Sequence, residues 1–581
     1  MATPTSYDLA QKWLQQDADP ETISEIQNLL EDHDTAALES RLRSRIAFGT
    51  AGLRSSMKAG FAHMNSLTVL QASQGIATYV LSQHTSPLAE SRSIVVGYDG
   101  RHNSEKFARL AAAAFLAKGL GVLWLGLVHT PMVPFAITHF SAAAGVMVTA
   151  SHNPKQDNGY KVYWANGCQI IPPRDKDIAR AIELQDTILS WDLSAIDNNS
   201  AVRNVFGEAR TAYIAAIETL VPSSRPSELL PFTYTPMHGV GLPFMQEAVR
   251  RISPTANSAM QVVSAQAHPD PEFPTVPFPN PEEKGALDLA IKAAEQSGSR
   301  LIIANDPDAD RFAAAEQLED GTWHQFTGNE MGALLAAFIY ETSTVDKSKL
   351  AMLASTVSSR MLKSLAKKEG FTFRETLTGF KYLGNVAQEL RQEGFEPVFA
   401  YEEAIGYMFP TVAWDKDGIA AAVVFLIARQ QWQGERISPW RKLQGLYERY
   451  GHFADANTYL TSPSPEVTEQ TFAAIRTLNN GSVPSHLARR EIRRWRDLTM
   501  GYDSGTADGR PELPIDAAAQ MITCWLDDAL FTARGSGTEP KIKLYVEAIG
   551  AKSSAEAKAV AREVLDDLVR AWFPGLKLAG S

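Results

Sequence analysis

The chain has 581 residues, of which 45% are apolar and 21% charged, and its formal net charge is −11. This length is enough for about four domains, and the negative charge argues against nonspecific nucleic-acid binding. The two cysteines, Cys168 and Cys524, are far apart, so neither a disulfide framework nor a cysteine metal site is expected. The N-terminus lacks a basic head followed by an apolar core, so no secretory signal is predicted, and the cytoplasm is the expected location.

The first 44 residues are predicted to be helical and to form an extension packed on the first domain. A strand–loop–helix–strand pattern then occurs three times, which predicts α/β units. These units are residues 93–128, 232–265 and 350–379. The apolar run 107–128 is interrupted by Arg109, Lys118 and two glycines, so it is predicted to be a helix followed by a strand and not a membrane span.

The last 130 residues are richer in polar and irregular stretches. They end in a predicted helix over 553–572, where Ser553 and Glu556 fit a capping box. We therefore predict an α/β protein with three similar domains of mixed sheet and a smaller α+β domain at the C-terminus. The predicted segments are 1–44, 45–208, 209–326, 327–452 and 453–581.

The stretch "TASHNP" (149–154) follows an apolar run, so a strand is expected to deliver Ser151 to an exposed loop. Adjacent side chains rarely face each other, so His152 is not automatically a base for this serine. A bare serine hydroxyl is a poor nucleophile. Ser151 is therefore a candidate for a role other than attack on an ester.

The stretch "NDPDADR" (305–311) places three carboxylates at alternate positions after a buried-strand run. Asp306, Asp308 and Asp310 would repel one another unless a cation neutralised them, and all-oxygen ligation suits Mg²⁺ or Ca²⁺. An EF-hand is excluded because Arg311 stands where its loop needs glycine and Gln317 where it needs glutamate. A solvated acidic turn remains an alternative, and Arg311 is either a salt-bridge partner or a phosphate ligand.

Three further loops carry weaker signals. In "ARGSGTEPKIK" (533–543), glycines let backbone amides turn inward as an anion cradle, although a surface turn fits equally well. "FGTAGLR" (48–54) is a glycine-rich loop that ends in Arg54. In "AYEEAIGY" (400–407), the pair Glu402 and Glu403 can accept hydrogen bonds from sugar hydroxyls or can simply be exposed charge.

Six motifs occur in the order seen in the α-D-phosphohexomutase family, and the resemblance runs from about residue 45 to the end. They are "FGTAGLR", "TASHNP", "NDPDADR", "LTGFKYLGN", "AYEEAIGYM" and "RGSGTEPK". The chain is most similar to the phosphoglucomutase-2/phosphopentomutase (phosphoribomutase) branch, through "TPMHGVG", "PDPEFPTVPFPNPEE" and "EEAIGY". The resemblance implies four domains around a central cleft: phosphoserine, metal-binding, sugar-binding and C-terminal phosphate-binding domains.

The same resemblance implies that Ser151 is a phosphoryl carrier. Its phosphoryl group would pass to the free hydroxyl of a sugar 1-phosphate, and the other phosphate of the bisphosphorylated intermediate would return to Ser151. One Mg²⁺ is implied, held by Asp306, Asp308, Asp310 and a phosphoserine oxygen, with sugar bisphosphate as intermediate and activator. The implied partners are small sugar phosphates, without nucleic acid or membrane, and a monomer is expected.

Roles for other residues follow from the motifs. Lys161 and His152 are candidates for acid/base or transition-state roles, although Lys161 can also be a solvated strand lysine. Arg54 is expected to face the transferring phosphate. The expected contacts of the sugar are Thr378, Gly379, Glu402 and Glu403. The non-reacting phosphate is expected to be held by Arg534, Ser536, Gly537 and Thr538, with Lys416 assisting, and Arg311 is a further candidate for binding the substrate.

Two positions depart from the family pattern, one bearing on the phosphate clamp and the other on sugar specificity. Gly535 stands where many members have proline, leucine or threonine, and Ala404 where many phosphoglucomutases have serine. The loss of a hydroxyl at Ala404 predicts use of ribose or deoxyribose 1-phosphate at least as well as glucose 1-phosphate. Two other functions stay open: a glucose 1,6-bisphosphate synthase and a catalytically silent sugar-phosphate sensor.

Overall fold

The computed structural model describes residues 4–49, 52–83, 92–222, 228–253, 256–517, 519–535 and 541–578. These residues form two compact units. Unit 1 comprises residues 1–331, 338–343 and 379–436, and unit 2 comprises residues 332–337, 344–378 and 437–581. The domain boundaries drawn from the sequence stay predictions.

Unit 1 begins with three short helices. They are α1 (Ser6–Gln16), α2 (Pro20–Glu31) and α3 (Thr35–Leu42). Side chains of Thr5, Asp19 and Asp34 cap their N-termini, as these residue types do at helix starts. Trp13 and Ile26 pack in one apolar cluster with Phe61, so the helices lie against the segment that follows them.

The next part of unit 1 is a six-stranded sheet with helices packed on it. Its elements are β1 (Leu53–Ser56), α4 (Ser66–Gln83), β2 (Ser93–Tyr98), α5 (Ser104–Ala117), β3 (Gly121–Leu127), α6 (Met132–His139), β4 (Ala144–Val148), β5 (Asp157–Trp164), α7 (Arg174–Glu183), β6 (Val202–Asn204) and α8 (Phe206–Glu218). The strand order is β1-β5-β4-β2-β3-β6. Strands β3, β2 and β4 run parallel, so their carboxyl ends share one edge, whereas β5 is antiparallel to β4.

A five-stranded sheet of unit 1 follows. Its elements are β7 (Phe232–Thr235), α9 (Leu242–Ile252), α10 (Ala256–Ala259), β8 (Met260–Val262), α11 (Asp288–Ser297), β9 (Leu301–Ala304), β10 (Ala313–Gln317) and β11 (Trp323–Gln325), before α12 (Gly328–Thr342). The strand order is β11-β10-β9-β7-β8. Strand β9 is fully buried and apolar, and it runs parallel to β7.

Residues 350–450 are divided between the two units. Their elements are β12 (Leu350–Ser355), α13 (Met361–Glu369), β13 (Thr372–Thr376), α14 (Phe380–Gln392), β14 (Glu396–Glu402), β15 (Gly406–Met408), α15 (Gly418–Gly434) and α16 (Pro439–Tyr450). In unit 2, β12 and β13 pair in parallel. In unit 1, β14 and β15 form an antiparallel pair.

The C-terminal part of unit 2 consists of an antiparallel sheet, a separate two-stranded sheet and two helices. Its elements are β16 (His452–Asp455), β17 (Thr458–Thr461), α17 (Pro465–Ile475), β18 (His486–Leu487), β19 (Arg490–Glu491), β20 (Arg494–Asp497), β21 (Tyr502–Asp503), β22 (Met521–Trp525), β23 (Ala529–Gly535), β24 (Lys541–Ala551), α18 (Ser554–Trp572) and β25 (Lys577–Leu578). The two-stranded sheet is formed by β18 and β19. Ser553 caps α18 as expected, but the Glu556 carboxylate accepts from the N–H of Lys552, so the predicted capping box is not closed.

The three strand–helix–strand units predicted from the sequence are confirmed by β2-α5-β3, β7-α9-β8 and β12-α13-β13. The run 107–128 is a helix and a strand, as predicted. Among the described residues, no helix combines the length and the apolar character needed to cross a bilayer.

Candidate active site

Ser151 lies just beyond the carboxyl end of β4. Its surface is only 2% exposed, so the prediction of an exposed loop serine is wrong. The hydroxyl is buried because it donates a hydrogen bond of 2.9 Å to Oδ2 of Asp306, which comes from the neighbouring sheet. Its φ of +54° is a left-handed conformation that is unfavourable for a residue with a side chain. Strain of this kind is common at functional sites.

The imidazole of His152 lies beside the Ser151 hydroxyl, although the two residues are adjacent in the chain. Its Nδ1 lies 3.3 Å from the Ser151 hydroxyl, because the left-handed backbone at Ser151 breaks the alternation of an extended chain. Burial lowers the pKa of His152 well below its ordinary value, and the charges of Arg311 and Arg54 act in the same direction. The imidazole is therefore neutral at pH 7.

The three aspartates that follow β9 are fully buried, so the alternative of a solvated acidic turn is wrong. One carboxylate oxygen of each lies within 4.8 Å of the others. Oδ1 of Asp308 and Oδ1 of Asp310 have no hydrogen-bond partner within the described part of the chain. Buried carboxylate oxygens within mutual reach are typical ligands of hard divalent cations. Asp306, Asp308 and Asp310 can therefore hold a metal ion.

Two lysines meet this acidic group. Lys161, on β5, is buried and donates hydrogen bonds of 2.7 Å to Oδ2 of Asp308 and 2.6 Å to Oδ2 of Asp310. The alternative of a solvated strand lysine is therefore wrong. Lys416 Nζ lies 2.9 Å from Oδ2 of Asp310. The structure thus places this lysine beside the aspartates.

The charges are unevenly distributed around the aspartates. Burial opposes ionisation of Asp308, but the charge and hydrogen bond of Lys161 outweigh it, so the pKa of Asp308 is lowered. Burial and the charges of Asp308 and Asp310 raise the pKa of Asp306 well above its ordinary value. Asp306 accepts from the Arg311 N–H at 3.0 Å, whereas the Arg311 guanidinium Nε is 4.0 Å away. Asp306, which also accepts the hydrogen bond of Ser151, therefore lacks a close cationic partner among the described residues. An added cation would be most favourable beside this carboxylate.

Thr130 is a site residue that the sequence did not reveal. Its hydroxyl donates a hydrogen bond of 2.5 Å to Oδ2 of Asp308, and its backbone N–H donates to the Asp308 carbonyl at 2.9 Å. The sequence could have indicated this residue only by its position beyond the carboxyl end of β3, because ligands in α/β folds bind at that edge of the sheet.

The loop "FGTAGLR" approaches the same sheet edge. Arg54 stands on β1 opposite Gly159 of β5, and its side chain is exposed. Gly52 has φ of +75°, and a Cβ there would lie 1.8 Å from the carbonyl oxygen of Tyr160. Only glycine fits this close approach, which holds β1 and Arg54 against the strand that carries Lys161.

Glu402 is the last residue of β14 and Glu403 follows it, and both are half-buried. The Gly379 N–H donates a hydrogen bond of 2.5 Å to Glu402 Oε1. Burial and the charge of Glu403 raise the pKa of Glu402 to about 7. In unit 2, the Thr378 hydroxyl is buried and has no hydrogen-bond partner among the residues that the structure describes.

Arg534 is the described member of the predicted phosphate clamp. It lies near the end of β23 in unit 2, and its Nε is buried without a hydrogen-bond partner among the described residues. Ser536, Gly537 and Thr538 lie outside the described residues. Their predicted role, like the roles of the other site residues, stays a prediction.

Models of the phosphoglucomutase/phosphomannomutase α/β/α domains I, II and III match residues 45–188, 211–319 and 327–450. The chain belongs to the phosphoglucomutase/phosphomannomutase family. Its expected fold class is thereby confirmed. The chain is a sugar-phosphate mutase, an isomerase by class, as its relatives of nearly equal length also indicate.

Two mutases carry that conclusion, and a third relative is named for a different activity. A phosphoribomutase of Saccharomyces cerevisiae is 44% identical, over 97% of this chain and 95% of the relative. A human phosphopentomutase is 39% identical, over 96% and 94% of the two chains. A human glucose 1,6-bisphosphate synthase is 38% identical, over 96% and 92%.

Proposed function

We propose that this mutase interconverts the 1- and 5-phosphates of ribose or deoxyribose and uses glucose 1-phosphate no better. We further propose that Ser151 carries the phosphoryl group. The observation that carries the proposal is the buried Ser151 hydroxyl, which bonds to Asp306 at the edge of the aspartate group. The names of the phosphoribomutase and phosphopentomutase relatives support the pentose as substrate.

The charges of the site suit a phosphorylated serine. Three buried carboxylates face an equal number of cationic side chains, those of Lys161, Arg311 and Lys416. A phosphoserine adds about −1.5 to −2 charges. One divalent cation would balance that charge, so phosphoserine and metal together keep the pocket near neutrality.

Asp306, Asp308 and Asp310 would hold this cation, which we infer to be Mg²⁺, and a phosphoserine oxygen would complete the site. Oδ1 of Asp308 and Oδ1 of Asp310, which have no partner among the described residues, and the short distances within the group support this fit. When bound, Mg²⁺ withdraws negative charge from a phosphoryl group in transfer.

In the first transfer, a P–O bond forms to the free sugar hydroxyl and the bond from phosphorus to Ser151 Oγ breaks. The sugar hydroxyl gives up one proton in this step, and the departing Ser151 Oγ takes one up. His152 is neutral and lies 3.3 Å from Oγ, so it can exchange that proton. Lys161 donates hydrogen bonds beside the aspartates and can stabilise the transferring charge. In the second transfer, a P–O bond forms from Ser151 Oγ to the other phosphate and the bond from that phosphorus to the sugar oxygen breaks. Ser151 Oγ loses its proton, and the freed sugar oxygen takes one up.

Sugar selection is proposed to lie at Glu402, Glu403 and Ala404. A buried polar partner for a substrate hydroxyl discriminates strongly, because a sugar without that hydroxyl leaves the partner unpaired. Ala404 has no such group, so a shorter sugar is not penalised there. Arg534 and the loop 536–538 would hold the non-reacting phosphate of either sugar.

Release of the bisphosphate as product is the second candidate. The bisphosphate-synthase relative is 38% identical and the phosphoribomutase 44%, so retention of the intermediate is favoured. Incubation with acetyl phosphate and glucose 1-phosphate would reveal synthase activity as accumulated glucose 1,6-bisphosphate.

We also infer a cytoplasmic monomer that acts on free sugar phosphates, with neither nucleic acid nor membrane as partner. Light scattering would test the monomer.

The experiment is a comparison of Ser151→Ala with Ser141→Ala. Ser141 is an exposed serine with φ of +52°, so the control makes the same substitution in the same backbone conformation. Turnover of ribose 1-phosphate should be lost in Ser151→Ala and kept in Ser141→Ala. Peptide mass spectrometry should place the exchangeable phosphate on Ser151. Wild-type turnover by Ser151→Ala, or no pentose turnover by the wild type, would overturn the proposal.

A further inference from the structure

The backbone of Ser151 is held from both sides by one buried polar network. On the amino side, the Ser151 N–H donates a hydrogen bond of 2.9 Å to the Thr149 hydroxyl, which itself donates to Oδ2 of Asp99 at 2.6 Å. On the carboxyl side, an Arg101 guanidinium nitrogen donates a hydrogen bond of 2.5 Å to the Ser151 carbonyl. Thr149, Asp99 and Arg101 are all buried.

Arg101 also binds the rest of the serine loop. Its guanidinium donates to the carbonyls of Asn153 at 2.6 Å, Pro154 at 3.0 Å and Asp157 at 3.3 Å. Its Nε lies 3.3 Å from Oδ2 of Asp99, so the cation is paired with a carboxylate. A fork of several N–H donors in one plane is specific to arginine, and lysine cannot reproduce it.

The segment between β8 and α11 covers this network. The Phe273 ring lies 5.0 Å from the Arg101 guanidinium carbon and is buried. Gly100 permits the close approach, because a Cβ there would lie 2.8 Å from Pro269 Cβ. Water is thereby kept from the guanidinium, and hydrogen bonds of a charged donor are stronger in such surroundings. The segment between β8 and α11 therefore packs against the arginine that binds the backbone of Ser151.

We propose that Arg101, Asp99 and Thr149 are positioning residues that hold Ser151 in its left-handed conformation, with its hydroxyl aimed at Asp306. The conformation at φ +54° is unfavourable by itself, so fixed partners on both flanking peptide groups are needed to keep it populated. Without them the loop relaxes and the hydroxyl leaves the aspartates. A displacement of about 1 Å at a reacting atom lowers a rate by about a hundredfold. This inference rests on the proposed role of Ser151 as carrier.

The decisive comparison is Thr149→Val against Thr149→Ser. Valine keeps the shape and removes the hydroxyl that joins Ser151 to Asp99, whereas serine keeps the hydroxyl. Each dephosphorylated variant is mixed with glucose 1,6-bisphosphate, and intact-protein mass spectrometry follows the phosphorylation rate. We expect the valine variant to be slower by about ten- to a hundredfold and the serine variant to stay near the wild type. Mg²⁺ affinity should not change in either, because the three aspartates are intact.

Arg101→Gly tests the carboxyl side. Loss of the buried side chain should abolish phosphorylation, and millimolar guanidinium chloride should restore part of the rate by filling the vacated position. A merely structural role would lower stability without such rescue. If Arg101→Gly does not fold, the comparison of Thr149→Val with Thr149→Ser still tests whether the network positions Ser151. Wild-type phosphorylation kinetics in Thr149→Val would overturn the inference, whereas a wild type that is never phosphorylated at Ser151 would overturn the proposed function itself.

Discussion

Replacement of Lys161 by methionine should lower the free energy of unfolding in the absence of metal and increase the stabilisation that Mg²⁺ provides. The ammonium group lies 2.7 Å from Asp308 and 2.6 Å from Asp310, and each pair is an attraction of roughly 6 kcal/mol at an effective dielectric constant of about 20. The desolvation of the buried ammonium offsets much of that attraction. Removal of one partner from a buried ion pair destabilises proteins by about 3–5 kcal/mol. We expect a loss of that size for Lys161→Met in EDTA.

Mg²⁺ should reverse much of this loss, because it supplies the charge that the lysine supplied. In the wild type the charge of Lys161 opposes a second cation at the same carboxylates, and in the variant it does not. Lys161→Met should therefore bind Mg²⁺ at least about tenfold more tightly, which corresponds to about 1.4 kcal/mol, although it loses turnover.

Urea unfolding of both proteins, in EDTA and in saturating Mg²⁺, measures these free energies of unfolding. Lys155→Met is the matched control, since Lys155 forms an exposed pair with Glu272, and such pairs contribute about 0–1 kcal/mol. An equal gain from Mg²⁺ in wild type and Lys161→Met, or an undiminished stability in EDTA, would refute the competition between lysine and metal.

Three further predictions concern metal, pH and sugar. Asp308→Asn should weaken Mg²⁺ binding in calorimetry by at least about tenfold, since one buried charge is lost, and unchanged affinity would remove Asp308 from the metal site. Burial raises the pKa of Glu547 to about 7, so the folded state holds its proton more tightly than the unfolded state. This carboxyl alone should then lower the free energy of unfolding by about 1.4 kcal/mol per pH unit between its two pKa values. Glu547→Gln should reduce the slope measured in urea titrations at pH 5 to 8 by that amount, and an unchanged slope would contradict the reasoning. Ala404→Ser should shift the ratio of kcat/KM for glucose and ribose 1-phosphates toward glucose by about fivefold, the size of one added hydrogen bond; an unmoved ratio would contradict the role of Ala404.

Local sequence signals identified most of the elements and most of the chemical groups. Alternating strand and helix periodicities marked β2-α5-β3 and its two counterparts, because apolar spacing depends on local geometry alone. The three aspartates at alternate positions indicated a cation site by their spacing alone, since their mutual repulsion favours a neutralising cation. The order of six motifs indicated the family.

Other properties depended on the tertiary structure. Ser151 looked exposed because the sequence shows its loop but not Asp306, which arrives from a different sheet and buries the hydroxyl. Lys161 was a candidate for an acid/base or transition-state role, but the sequence did not show that Asp308 and Asp310 are its partners. Thr130 and Arg101 carried no motif of their own, because their roles consist of hydrogen bonds to residues between 50 and 178 positions away. Residue types and their spacing are local and readable in the sequence, whereas burial, pairing and pKa arise from segments that only folding brings together.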